Sequence, residues 1–335
     1  MNLNYYQEPD EIEDFRDDKP RHLRSRKKVN RPVSRKIAVE STDGQGSTDD
    51  ASYPFTYHAS RHEKQWLMAS IKQFHQEDWI EDILKMVRGG KEASVYLCTR
   101  PTGSNPQWIA AKVYRPRRFR NLKNDQLYRE GRDQLDTSGR VIHDDRSLHA
   151  MRKRTTYGRE LLHSSWIGHE YHTMQLLADA GVDLPRPYAS SENAILMDFI
   201  GDEFVSAPTL NTVSLGITEA RQLFKRVMYN IELMLRFNRI HADLSAYNIL
   251  YWQGGIKLID FPQAIHPDEN RNAYRIFARD VEKVCAYFAS QGVDDDPVRL
   301  ARGMWQARGR LVETPLDPAY LDPEKEEDRR AWNRQ

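Results

Sequence analysis

The stretch "HADLSAYNILYWQGGIKLID", His241 to Asp260, decides how this chain is read. Two short apolar runs, "ILYW" and "IKLI", flank Gln253-Gly254-Gly255, and glycine supplies the positive φ that a tight hairpin needs. Folding that hairpin brings its ends together, with Asn248 just before the first strand and Asp260 just after the second. Residues opposite each other on paired strands sit about 4.5–5.5 Å apart. An amide oxygen and a carboxylate at that separation can share a hard divalent ion such as Mg2+, which takes few protein oxygens and completes its shell from phosphate and water. Asp243 lies on the loop leading into the same hairpin. It can face the same point without holding the metal, placed to accept a proton from an attacking hydroxyl.

This is the phosphoryl-transfer layout of protein kinases, whose catalytic loop reads H-R-D-L-x-x-x-N and whose metal-binding acid follows the next hairpin. "HADLSAYN" keeps every fixed position but one, with Ala242 in place of arginine. A kinase phosphate loop reads G-x-G-x-x-G-x-V. Aligned on Val95, "RGGKEASV" keeps only the middle glycine, Gly90; Arg88 and Ala93 stand in the other two places. "WIAAKVY" then sets Lys112 inside an apolar strand. A charge there is costly unless paired. The partners used by kinases are nucleotide phosphates and a glutamate on the next helix, for which Glu170 in "SWIGHEYHTMQLL" is the candidate.

Several motifs in this order resemble one family, the RIO-type atypical protein kinases. "GKEASVY" looks like that family's phosphate loop, and "HADLSAYNILY" like its catalytic loop with alanine where ordinary kinases carry arginine. "LIDFPQAI" looks like its metal loop, "MDFIGDE" like its inter-lobe connector, and "FARDVEKVCAYF" like the helix that follows. The resemblance covers roughly residues 80–290. It implies an α+β, bilobal kinase-like fold, with a β-rich N-lobe, a mainly helical C-lobe and no long activation segment. It also implies ATP with Mg2+, or Mn2+ as an alternative ion. Asp243 would be the catalytic acid, with Asn248 and Asp260 as metal ligands. Gly90, Lys91, Glu92, Ser94 and Val95 would form the phosphate loop. Lys112 and Glu170 would serve the phosphates, and the backbone at Asp198 and Ile200 would receive the adenine. Such enzymes are linked to ATP hydrolysis through a phospho-aspartate, here at Asp260, and to small ribosomal subunit maturation. No A-P-E motif appears and little chain separates Asp260 from the next helix, so a peptide groove would be incomplete. Ala242 agrees with this, because an arginine there would have no phosphorylated activation loop to pair with.

Outside this centre, residues 1–60 read as a disordered charged tail, with acids between Glu8 and Asp18 and an acid-free basic block, Lys19–Lys36. Such a segment cannot bury enough apolar surface to offset chain entropy. Residues 61–200 read as the N-lobe, 201–312 as the C-lobe and 313–335 as a loose tail. In the N-lobe, Trp66, Ala69, Ile71 and Phe74 fall near helical spacing, "WIEDILKMV" leads as a strand into "RGGKEASVYLC", and "PTGSNP" turns into "WIAAKVY". Residues 115–160 are Arg-rich and read as a long insertion. "SSWIGHEYHTMQLLADAG" is an amphipathic helix stopped by Gly181, and "AILMDFIG" a buried strand. "TEARQLFKRVMYNIELMLRF" is a core helix capped by Thr218, with Ala220, Leu223, Phe224, Val227, Ile231 and Met234 as its stripe.

The 335 residues carry a net charge of +1, 39% hydrophobic and 30% charged residues, a globular profile with polar excess in tails and loops. Two cysteines, Cys98 and Cys285, read as buried thiols rather than a disulfide or zinc framework. The acidic N-terminus is unlike a secretory signal, and no apolar run has the length of a membrane span. A reducing cytoplasm is the expected compartment. His241 is expected to bond nearby backbone rather than act as a base, and Asp280 either to brace the catalytic loop or to face solvent. Three functions follow: a RIO-type serine/threonine kinase or ATPase with an unknown protein substrate; an ATP-gated module bound to ribosomal RNA or a pre-ribosomal particle through basic segments; and a small-molecule phosphotransferase.

Overall fold

The computed structural model of the protein describes residues 54–90, 92–115, 134 and 141–311. Helix α1 (Arg61–Gln76) begins on a reciprocal cap: the Ser60 side chain accepts from the Glu63 N–H, and the Glu63 carboxylate accepts from the Ser60 N–H. Its buried stripe is Leu67, Ser70, Ile71 and Phe74, whereas Ala69 is exposed. The buried face is therefore shifted from the expected one, with Trp66 half-buried at its margin and tilted against the Tyr96 ring. The fold also begins before residue 60. Phe55 and Ala59 are buried in the same core, and the Tyr57 N–H donates to the Ile83 carbonyl at 2.8 Å.

Strands β1 (Asp82–Gly89), β2 (Ala93–Thr99), β3 (Trp108–Tyr114), β4 (Pro187–Ser190) and β5 (Ala194–Asp198) form one antiparallel sheet in the order β1-β2-β3-β5-β4. β3 is its central strand and is covered on both faces, so "WIAAKVY" carries no polar alternation apart from its lysine. Ile109, Ala111 and Val113 pack with Leu67, Ile71 and Phe74 of α1. Ala110, Lys112 and Tyr114, one residue out of step, point to the opposite face, and all three line the cleft below the sheet.

The expected insertion at 115–160 needs correcting at its end. Residues 116–133 and 135–140 lie outside the described residues, but two helices follow, α2 (Asp145–Lys153) and α3 (Thr156–Asp179). α3 starts well ahead of Ser164. Asp144 and Thr155 cap the two helices by accepting from the Ser147 and Gly158 N–H groups. α2 buries Ser147, Ala150 and Met151. Gly158 permits this approach, since a Cβ there would lie 1.9 Å from the Ala150 carbonyl oxygen. The abundant Arg and Lys on the outer face hide this short period in the sequence.

In the C-lobe, α4 (Ile217–Arg236) buries Ala220, Leu223, Phe224, Val227, Ile231 and Met234, the expected stripe. Its N-cap is Gly216, without a side-chain hydrogen bond; Thr218 lies within the first turn. β6 (Ile249–Trp252) and β7 (Gly255–Leu258) form the hairpin. The positive φ angles fall at Gln253 (48°) and Gly254 (78°). Gly255 instead pairs with Trp252 as the first residue of β7. α5 (Ala273–Ser290) follows Asp260 after residues 261–272, a stretch of turns and one bridge where an activation segment would run. α6 (Pro297–Gln306), which the sequence reading did not pick out, is capped by Asp296 with proline in its first turn. Its Trp305 packs on Tyr274 and Phe277 of α5.

The fold is α+β, a sheet lobe over a mainly helical lobe, as a kinase-like chain requires. Cys98 and Cys285 are free and buried. Among the described residues, no helix is long and apolar enough to cross a membrane. Lys91, the basic block Lys19–Lys36 and residues 313–335 lie outside the described residues.

Candidate functional site

A cleft of about 660 Å³ separates the sheet from the helical lobe. Its lining combines apolar Val95, Ala110, Met174, Met197 and Leu250 with polar Arg88, Lys112, Glu170, Asn248 and Asp260. The pairing expected for Lys112 is present. Its ammonium lies 2.6 Å from Glu170 Oε1 and 2.8 Å from Asp260 Oδ1. α3 turns Glu170 inward on the same face as Trp166 and Met174, and Glu170 is fully buried. The Tyr114 hydroxyl donates to the second Glu170 oxygen, and the Tyr114 ring lies 5.4 Å from Lys112 Nζ. Burial alone would weaken the Lys112 charge, but the Asp260 and Glu170 carboxylates outweigh it and hold the ammonium well above its ordinary pKa. Burial likewise pushes the Asp260 carboxyl up, and the adjacent Lys112 charge more than reverses this, holding it below the usual carboxylate value. The Asp260 side chain still opens to the cleft, with 47% of it exposed.

The catalytic loop is pinned at its root. Ile240 and Ile265 exchange both backbone hydrogen bonds, at 3.0 and 2.9 Å. The next residues are fixed one by one. The ring nitrogen Nε2 of His241 lies 3.0 Å from the Ile259 carbonyl oxygen, the backbone bond expected of it. Ala242 has φ 69° and is fully buried, which leaves no room for the arginine of ordinary kinases. Its N–H donates to Asp280 Oδ2 at 2.7 Å and its carbonyl accepts from Arg279. Of the two expectations for Asp280, the brace is the one observed.

Asp243 follows. Asn248 Nδ2 donates to the Asp243 carbonyl at 2.9 Å and lies 3.4 Å from Asp243 Oδ2. Lys283 of α5 reaches Asp243 Oδ1 at 3.1 Å. The Ile259 N–H donates to the Asn248 carbonyl at 3.0 Å, so the ladder sets Asn248 opposite Ile259 and Asp260 one residue further on. Asp260 has φ 74°.

Of the expected nucleotide-contacting residues, Gly90, Glu92, Val95, Lys112, Glu170, Asp198 and Ile200 line the cleft, together with Asn248 and Asp260. Gly90 makes a tight turn, its N–H donating to the Ala93 carbonyl at 2.9 Å. A Cβ on Gly90 would stand 2.8 Å from that oxygen. Ser94 does not line the cleft. It is buried on the alternate face of β2, with its hydroxyl toward Arg115. Asp243 stands behind Asn248 rather than in the cleft wall. At the connector, the Asp198 N–H donates to Arg186 O and the Ile200 carbonyl accepts from the Ala207 N–H. The Asp198 carboxylate is held by the Arg186 N–H and the Tyr188 hydroxyl. Sequence reasoning missed Tyr114, Arg279 and Lys283. Lys283 had a signal: three residues beyond Asp280 on a helix, it shares that residue's face.

A buried lysine between two carboxylates, under a glycine turn and beside an Asp–Asn loop, is the constellation of a kinase-type cleft. A family model described as the RIO domain matches residues 95–300, more than half of the chain, and the chain belongs to this family. It is similar to the serine/threonine-protein kinase rio1 of Schizosaccharomyces pombe, 30% identical over 191 residues, covering 56% of this chain and 35% of that protein. It is 28% identical to the human serine/threonine-protein kinase RIO1 over 215 residues, 64% of this chain and 34% of that one. With the RIO-type serine/threonine-protein kinase Rio1 of Haloferax volcanii it shares 26% identity over 238 residues, 68% of this chain and 70% of the other. The chain thus spans only about a third of the first two relatives. Among solved structures it is similar to the Rio2 kinase-ADP/Mg2+-phosphoaspartate complex of Chaetomium thermophilum, with TM-score 0.46 and 17% identity over 85% of this chain and 83% of that one.

Proposed function

We propose that the chain is an ATP- and Mg2+-dependent phosphoryl-transfer enzyme of RIO type, acting as a serine/threonine protein kinase, an ATPase or both. The observation that carries this reading is the buried Lys112, held at 2.6 and 2.8 Å between Glu170 and Asp260 in the cleft. The adenine lies between Val95, Ala110, Met174, Met197 and Leu250. It is read by the Asp198 carbonyl and the Ile200 N–H, since the opposite groups of these two residues are engaged within the protein. Lys112 holds phosphate oxygens, and Glu170, itself steadied by Tyr114, keeps the ammonium aimed at them.

Asn248 and Asp260 suit Mg2+, a hard ion content with one or two protein oxygens plus phosphate and water. Bound there, Mg2+ would neutralise charge on the transferred phosphoryl group. Among the described residues, no three His, Cys, Asp or Glu side chains are grouped for a metal, so phosphate and water would supply the remaining ligands. Asp243 orients the attacking hydroxyl and takes its proton. The partly exposed Asp260 carboxylate supports a further acceptor, in which the phosphoryl group passes to Asp260 before water releases it.

Tracing phosphate from γ-labelled ATP tests the reading. Acid-stable label on protein indicates a hydroxyl acceptor, label released by hydroxylamine an acyl phosphate, and free phosphate alone hydrolysis. Absence of all three contradicts the proposal. The RNA-bound module rests on basic segments mainly outside the described residues. Salt-sensitive RNA co-purification without any labelled product would favour it. Label transferred to a sugar or aminoglycoside would favour the small-molecule reading.

A further inference from the structure

We infer that Lys283 is a positioning residue for this reaction, fixing the Asp243 carboxylate toward the acceptor and supplying a positive charge that the catalytic loop lacks. The inference rests on the phosphoryl-transfer reading above. Between Asp243 and Asn248 the loop reads Leu-Ser-Ala-Tyr, without a cation. Lys112 is already shared between Glu170 and Asp260. Among the described residues, the cation paired with the acid comes from another element, α5, with Lys283 Nζ 3.1 Å from Asp243 Oδ1. α5 addresses three successive points of the loop from one face. Asp280 takes the Ala242 N–H, Arg279 donates to the Ala242 carbonyl, and Lys283 meets the Asp243 side chain.

Two features separate a positioning role from a merely structural one. The Lys283 and Asp243 side chains are 38% and 43% exposed, so the pair adds little to stability in water. The Asp243 carboxylate thus stays reachable from solvent while paired. The pair also fixes one carboxylate oxygen, while the other lies 3.4 Å from Asn248 Nδ2. A carboxylate restrained at both oxygens is held ready for the acceptor, and such orientation acts on the rate of the bound complex rather than on nucleotide affinity.

The test is steady-state ATP turnover of the full chain as wild type, Lys283→Met and Lys283→Arg, with thermal melts of each. The expected result is a fall in kcat of about tenfold or more in Lys283→Met, with KM for ATP changed by less than about twofold and the melting temperature unaltered. Lys283→Arg, which keeps the charge, recovers most of the rate. A Lys283→Met rate within about twofold of an active wild type overturns the inference alone. So does a lost rate that follows a lowered melting temperature and is not recovered by arginine. A wild type with no turnover overturns the phosphoryl-transfer reading and this inference with it.

Discussion

Lys112 and Asp260, 148 residues apart in sequence, meet at 2.8 Å. This contact joins the central strand of the sheet to the end of the C-lobe hairpin. The lysine also reaches Glu170, so one ammonium ties together the sheet, α3 and the segment that follows the hairpin. Charge pairing explains why a lysine is tolerated in the middle of an apolar strand.

Removing that ammonium leaves the buried Glu170 carboxylate facing the Tyr114 hydroxyl without a cation beside it. Breaking one side of a buried pair typically costs about 3–5 kcal/mol. Lys112→Met is expected to lose turnover and to unfold at clearly lower denaturant, whereas the double variant Lys112→Met/Glu170→Gln regains part of the stability without the activity. Urea denaturation of the three proteins checks this. Equal midpoints would show that the pair carries no such strain.

Ala242 sits at φ 69° with no exposed surface. Ala242→Arg, the residue of ordinary kinases, is expected to lower the melting temperature sharply, because a long cation must enter a filled site in a left-handed conformation. Ala242→Gly suits that conformation and is expected to leave stability unchanged or slightly raised. A thermally normal Ala242→Arg protein would show that the loop is held some other way.

Burial pushes the Asp280 carboxyl up from its ordinary 3.8 to about 7; Arg279, the Ala242 N–H and Lys283 oppose this, and Asp243 adds to it. The folded chain thus holds this proton more tightly than the unfolded chain does. The contribution of Asp280 to stability is full below its ordinary value and fades as pH rises toward about 7. Asp280→Asn cannot ionise and can still accept from the Ala242 N–H. The stability difference between wild type and Asp280→Asn is expected to shift against the wild type as pH rises through that window. Melting curves from acid to neutral pH check the sign; a pH-independent difference would contradict it.

Much of this was legible in the chain because hairpins and amphipathic helices leave local marks. "ILYWQGGIKLI" names its own turn, and the α4 stripe follows helical period, so Asn248, Asp260 and the core could be placed. Even there, Gln253 rather than Gly255 takes a positive φ, because the pairing of Trp252 with Gly255 shortens the turn to two residues. The start of α3 and all of α2 were hidden, since their burial depends on each other and on Gly158 rather than on a long apolar stripe. Motif matching takes no account of strand alternation, which turns the Ser94 side chain to the face of β2 opposite Val95. Lys283 was missed because its importance comes from a contact 40 residues away, which only the packing of α5 under the loop creates.

The proposed division of labour gives the acceptor to Asp243 and the nucleotide to Lys112, Asn248 and Asp260. It is tested most directly by measuring Mg-ATP affinity and phosphate release for wild type and Asp243→Asn side by side. Similar affinities are expected, with a rate lower by about 10²–10⁴ in the variant. An Asp243→Asn protein that turns over ATP at the wild-type rate would contradict it.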